Sequence, residues 1–307
     1  VAKPKFALEG VYTAVLTPMT KTLDPDPKLM AAHCRWLLAN GCDGLGVLGT
    51  TGEANSFGLK ERIAILDSLA DAGVPGANLM PGTGCCAIPD TVALTKAALA
   101  NGATSVLMLP PFYYKKVSDE GLFAAYGEVI QRVGDDKLKI CLYHFPQMSG
   151  VPITYGLIEK LLKAYPKTVV GMKDSSGEIA NMTGAAKNFP GFAVFAGSDE
   201  LLLPLLESGG AGCITACANV ASVLAAQVYG GYRKGKDVQA HHRTLTEVRR
   251  AIAQFPLAAA LKTLMARHTG NDRWLNIRPP LMRLGAAEKQ KLFQGFDAIG
   301  FELPMAA

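Results

Sequence analysis

The stretch 139–174, "KICLYHFPQMSGVPITYGLIEKLLKAYPKTVVGMKD", holds one full period of the chain's organisation. "KICLYHFP" (139–146) predicts a buried strand, "TYGLIEKLLKAYP" (154–166) an amphipathic helix, and "TVVGMKD" (168–174) a second buried strand. Strands this continuously apolar suit a parallel sheet whose outer face is covered by helices. The second strand ends on a charge, Lys173. A lysine there either snorkels, with its stem packed and its ammonium in water, or sits in a dry cavity and becomes a nucleophile.

The period repeats in both directions. Upstream, strands are expected at 10–18, 44–49, 77–82 and 104–111, with helices at 27–41, 59–72, 89–101 and 118–133. Downstream, a helix near 178–188 leads to a strand at 192–200, a helix at 201–210 and a last strand at 211–215. Eight strands, each followed by a helical pattern, close naturally into a (β/α)8 TIM barrel of the α/β class. A doubly wound open sheet is the alternative, and the count of eight favours the barrel. The expected division is a barrel over 1–220 and an added C-terminal helical segment over 221–307, packed on the barrel.

Composition removes several classes of function. The net charge of +5, from 31 Lys+Arg against 26 Asp+Glu, is spread without a like-charge run, so nucleic acid is not expected as a partner. The long uncharged stretch 208–232 carries glycines, Ser208, Asn219 and Gln227, which makes it a poor membrane span. Seven cysteines, with Cys85 and Cys86 adjacent and no C-x-x-C pair, fit a reducing cytoplasm better than a disulfide framework. The opening "VAKPKFALEG" lacks the apolar core of a signal peptide. No histidine has the i, i+4 partner of a zinc helix, so no metal is expected. "GLGVLG" (44–49) matches a dinucleotide fingerprint by letters only, because its glycines lie inside the strand instead of opening a helix.

In a barrel, residues at the C-terminal ends of different strands converge on one cavity. "GTTGE" (49–53) brings Thr50 and Thr51 there, flanked by glycines that let backbone N–H groups approach a ligand. "PPFYYKK" (110–116) brings Tyr113 and Tyr114, "YHFP" brings Tyr143, and "GMKDSSG" brings Lys173. Taken singly, these read as a turn, a core tyrosine and a snorkelling lysine. Together they describe Schiff-base chemistry. A desolvated lysine can fall from about 10.4 towards 7–8, and the neutral amine attacks a ketone to form an electron sink. Phenol and hydroxyl groups move the protons, a hydroxyl-lined turn binds a carboxylate, and no cofactor is required.

These four motifs, in order and over almost the whole chain, resemble the dihydrodipicolinate synthase / N-acetylneuraminate lyase family, the pyruvate-dependent class I aldolases. The resemblance implies that Lys173 forms the imine, that Tyr143 transfers the proton, and that Thr51 and Tyr113 complete the relay, with Tyr114 the alternative phenol. It places Gly49, Thr50, Ile214, Asp199, Glu200 and Met148 in the substrate-binding set. It also implies a homo-oligomer, a dimer or tetramer. Synthases of this family carry an arginine two residues after Tyr-x-x-Pro, where this chain has Met148, and a thioether cannot pair with a carboxylate. "MSG" and "GSDE" resemble the aldolase branch, with Asp199 and Glu200 placed for a polyhydroxy tail. Ala216, where a serine helps to hold sialic acid, argues against that substrate. The expected activity is cleavage or dehydration of a 2-keto-3-deoxy sugar acid or a related pyruvate aldol. The alternatives are a 4-hydroxy-tetrahydrodipicolinate synthase with an atypical carboxylate site, and a non-catalytic 2-oxo-acid sensor.

Overall fold

Strand and helix alternate from β1 (Gly10–Ala14) onward in the computed structural model, which describes residues 6–305. The chain continues through α1 (Pro27–Ala39), β2 (Gly44–Gly46), α2 (Leu59–Asp71), α3 (Ile88–Ala100), β3 (Ser105–Met108) and α4 (Asp119–Val133). Then come β4 (Lys139–His144), a single turn α5 (Pro146–Ser149), α6 (Tyr155–Ala164), β5 (Val169–Asp174) and α7 (Ile179–Asn188). β6 (Ala193–Ala196), α8 (Leu202–Glu207), β7 (Gly212–Thr215) and α9 (Ala218–Arg233) complete the alternation. Three helices follow: α10 (Gln239–Ala253), α11 (Leu257–Thr269) and α12 (Ala286–Asp297). The expected division at 220/221 meets a kink in α9, where Ala221 leaves helical geometry.

Local chemistry explains the helix starts. Asp26 accepts the Leu29 N–H ahead of α1, whose first residue is Pro27, and Ser118 and Thr154 do the same for Gly121 and Leu157. Gly134 ends α4 in the left-handed conformation.

All strand pairs are parallel, in the order β2-β1-β7-β6-β5-β4-β3. The expected strand at 77–82 is not a regular one. Pro81 has no N–H to give, and residues 79–83 make only isolated bridges. Those bridges nevertheless close the ring. Met80 and Gly82 donate to Leu45 and Val47 on one side, while Thr83 donates to Leu107 and Leu107 to Pro81 on the other. The strands expected at 10–18 and 192–200 stop at Ala14 and Ala196, because each chain then turns over the barrel mouth. Where β1 meets β7, Gly212 has a φ of +146° and a Cβ there would lie 1.9 Å from the Gly10 carbonyl oxygen, so only glycine fits.

The barrel interior is filled by Met80, Leu107, Cys141, Tyr143, Val170, Phe195 and Ile214, while Ile140, Leu142, Val169 and Met172 pack outward under the helices. One irregularity positions the site. The β4–β5 register shifts between Ile140 and Cys141, so that Val170 is an extra residue. After it, Met172 faces the helices and Lys173 stands inward beside Tyr143, its register partner. Among the described residues no helix is long and apolar enough to cross a membrane.

Candidate active site

Lys173 is 5% exposed at the end of β5, and its Nζ donates to Tyr143 OH at 3.3 Å. The ammonium also lies 4.4 Å from the centre of that ring, a cation–π distance. Tyr143 OH is in turn 3.3 Å from Thr50 Oγ1. Amine, phenol and hydroxyl therefore form a continuous line across the ends of β5, β4 and β2. The sequence assigned the relay to Thr51, but the hydroxyl in contact with the phenol is that of Thr50. Thr51 is buried on the floor of the same cleft.

The turn that carries both threonines is fixed from behind. Glu53 holds a left-handed φ of 57°, and its buried carboxylate pairs with the buried ammonium of Lys262 on α11. Lys262 also donates to the Asn276 carbonyl at 2.7 Å, and Glu53 accepts the Arg278 backbone N–H at 3.2 Å. Arg278 grips Glu61 and donates to the Ser56 and Leu23 carbonyls. Burial pulls the Lys262 pKa down, and the Glu53 carboxylate opposes that pull. The C-terminal segment is thus tied to the active-site turn by hydrogen bonds.

Above the line of three groups opens a cleft of about 520 Å³. Thr50, Thr51, Tyr143, Phe145 and Lys173 line its floor, and Ser175–Gly177, Ser198 and Glu200 line one wall. The C-terminal segment supplies its roof: Arg249 of α10, 256–259 at the start of α11, then Ile277, Leu281 and Met282. Ser198 Oγ is buried without a partner among the described residues. Arg249 donates to Cys217 Sγ at 3.9 Å. Burial alone would lower the Arg249 pKa, but Cys217, Asp199 and Glu200 around it outweigh burial and raise it, so the guanidinium stays charged.

The remaining expected residues divide. Glu200 and Met148 line the cleft, with Glu200 also 3.3 Å from Arg250 Nε and Met148 at an exposed rim. Gly49 lines a small cavity shared by Thr50, Arg62 and Tyr143 beneath the cleft. Asp199 does not line the cleft. It is fully buried, accepts Thr215 Oγ1 at 2.7 Å, and has its pKa raised by burial against the pull of Arg249 and Thr215. The turn after β6 aims Asp199 at β7 and its neighbour Glu200 at the cleft. Ile214 likewise is not among the cleft-lining residues, its side chain packing in the barrel interior with Phe195 and Tyr143. Tyr113 and Tyr114 are 74% and 73% exposed and stack edge to face at 5.4 Å outside this chain's cleft. Their loop leaves the barrel after β3. The sequence reading missed Arg249, the serine wall and the Glu53–Lys262 pair. Only the last had a local signal, a lysine set in the apolar run "LAAALKTLMA" (257–266).

Among the described residues no group of three His, Cys, Asp or Glu side chains is placed to hold a metal ion.

Residues 7–298 match the model of the Dihydrodipicolinate synthetase family. The chain is 34% identical over 291 residues to an uncharacterized DapA-like lyase of Chloroflexus aurantiacus, covering 94% of this chain and 96% of that protein. Among solved structures, dihydrodipicolinate synthase from Agrobacterium tumefaciens superposes with a TM-score of 0.87 at 32% identity, covering 95% of this chain and 99% of that one. YagE, a prophage protein of the dihydrodipicolinic acid synthase family from E. coli K12 solved with pyruvate, superposes with a TM-score of 0.88 at 26% identity, covering 96% and 99%.

Proposed function

Because the chain belongs to the dihydrodipicolinate synthetase family, we propose that it is a class I lyase that makes or breaks a bond of a pyruvate-type 2-oxo acid through an imine on Lys173. The observation that carries this reading is the line from Lys173 Nζ through Tyr143 OH to Thr50 Oγ1, each step 3.3 Å, on the floor of the cleft.

The chemistry follows from that line. The neutral amine adds to C2 of the 2-oxo acid, and the carbinolamine oxygen takes up protons and leaves as water. Tyr143 is the group within reach to deliver and recover those protons, with Thr50 as its partner. The resulting iminium draws electrons from C3. In the cleavage direction the C4 hydroxyl loses its proton, the C3–C4 bond breaks, and the enamine left on Lys173 takes a proton at C3 before water releases pyruvate. Thr51 and the backbone N–H groups of the 49–53 turn are the donors suited to the 2-oxo acid's carboxylate.

The cleft of about 520 Å³ is far larger than pyruvate needs, so it accommodates an aldol partner as well. Ser175, Ser176 and Ser198 on its wall suit a hydroxylated chain, which supports a 2-keto-3-deoxy sugar acid or a related pyruvate aldol. A 4-hydroxy-tetrahydrodipicolinate synthase with an atypical carboxylate site is the second reading, and the cation Arg249 in the cleft favours it. We place the protein in the cytoplasm on the strength of its seven free thiols. We also read it as a homo-oligomer, in which an exposed Tyr113 would serve a neighbouring copy because it does not reach its own cleft.

Incubation with pyruvate and borohydride, followed by intact mass and peptide mapping, tests the imine. A reduced pyruvyl adduct confined to Lys173 is expected, and folded protein that gains no adduct overturns the proposal. Tyr143→Phe is expected to form the same adduct more slowly while kcat falls by about 100-fold or more, since proton transfer by a positioned side chain contributes roughly 10²–10⁴. Full turnover in that variant would remove Tyr143 from the relay.

A further inference from the structure

The cleft is lined by two basic side chains, Lys173 on the floor and Arg249 in the roof, and the imine chemistry uses only the first. We propose that Arg249 is the residue that selects the aldol partner, by binding a second carboxylate at the far end of a 2-oxo diacid. This inference rests on the imine reading of the same cleft and names the class of substrate.

Three observations point this way. Arg249 is partly buried on the cleft side of α10 and has no carboxylate within ion-pair distance among the described residues. Among the described residues its one hydrogen bond is the long contact to Cys217 Sγ, which leaves most of a five-donor fork unmatched. Partly desolvated guanidinium groups are strong binders of carboxylates, because the fork meets both oxygens at once.

No acidic group nearby forms an ion pair with Arg249 among the described residues, although one buried Asp199 carboxylate oxygen is without a hydrogen-bond partner and its charge acts on the guanidinium. Glu200 lies against Arg250, and Asp199 is sealed beneath the cleft on Thr215. Beside Arg249 in the roof, α11 begins at Leu257 with no side-chain cap on its first N–H groups, so the local potential also favours an anion. At the rim, Met148 offers no charge. A far-end carboxylate, on a hydroxylated chain or a plain one, would give the unmatched donors of Arg249 a partner that Cys217 does not supply.

The plain alternative is that Arg249 only balances the buried Asp199. Competition for Lys173 separates the two. The protein is incubated with pyruvate and borohydride in the presence of either 2-oxoadipate or 2-oxohexanoate, which match in carbon count and differ in the terminal carboxylate. The mass of the reduced adduct on Lys173 counts which acid won. In the wild type 2-oxoadipate is expected to out-compete 2-oxohexanoate by about tenfold or more, the factor a modest charge-assisted pair supplies. Arg249→Met is expected to erase that preference and Arg249→Lys to keep part of it. The ratio is internal to each protein, so any change in imine formation cancels.

Equal competition by the two acids in the wild type overturns the proposal without any variant, as does a preference that survives in Arg249→Met. Absence of every adduct in the folded wild type is a different result, which overturns the imine reading itself and this inference with it.

Discussion

Lys173→Ala lowers turnover of any 2-oxo acid substrate by about 10⁴-fold or more, and the folded protein is at least as stable as before. Loss of a covalent nucleophile removes the whole reaction path rather than one contribution to it, so the effect is of the order seen when a nucleophile is deleted elsewhere. The stability half of the prediction comes from the surroundings of the side chain. Lys173 is 5% exposed, and its hydrogen-bond partner is a phenol, with no carboxylate within ion-pair distance among the described residues. Deleting it therefore leaves no buried charge unmatched, and a charge held there for chemistry is a cost to folding. Paired measurements of turnover and thermal midpoint decide the matter. A variant that retains more than about one per cent of activity would show that another amine does the work.

Lys262→Met has the opposite signature, in which stability falls first and activity follows. Here the partner is Glu53, buried as deeply as the lysine, and removing the ammonium strands a carboxylate in the interior. Breaking one side of such a pair costs about 3–5 kcal/mol, whereas replacing both sides by neutral groups of similar size is often tolerated. The double variant Glu53→Gln with Lys262→Met should therefore recover much of the loss in a denaturant titration. Recovery of activity should be poorer, because Glu53 sits at a left-handed position in the turn that carries Thr50 and Thr51, and that turn loses its tie to the Asn276 carbonyl. A single variant as stable as the wild type would mean that Glu53 is held by Arg278 alone.

Much of this molecule is legible in its primary structure, and the illegible parts share a cause. Strand–helix alternation is written locally, so the ring of strands could be read from apolar runs and their turns. Residues at strand ends are legible for the same reason, which is why the sequence alone brings Lys173, Tyr143 and Thr50 together. The extra residue at Val170 could not, because nothing in "TVVGMKD" marks where the alternation slips, yet it decides that Lys173 and not Met172 points inward. Asp199 and Glu200 looked equivalent as neighbours, but a turn sends adjacent side chains opposite ways. Arg249 lies in "TEVRRAIA" (246–253), a pattern that reads as a solvated helix face, and only the return of α10 over the barrel mouth places it in the cleft. Lys262 and Glu53 are 209 residues apart, a separation no local pattern spans.

The stretch 79–83 bears on how this protein behaves in a crowded solution. A cylinder of strands presents no unpaired backbone to other molecules, while an open sheet presents two templates for aggregation. In this cylinder the join at 79–83 rests on four backbone hydrogen bonds, and Pro81 contributes an acceptor only. What it lacks in bonding it has in contact: a Cβ on Gly82 would lie 2.2 Å from the Leu48 carbonyl oxygen, so the two backbones touch directly. The same glycine that lets the active-site turn and its neighbour close up also keeps the edges of β2 and β3 from ever being offered to a second chain. Colloidal safety and catalytic geometry share one seam.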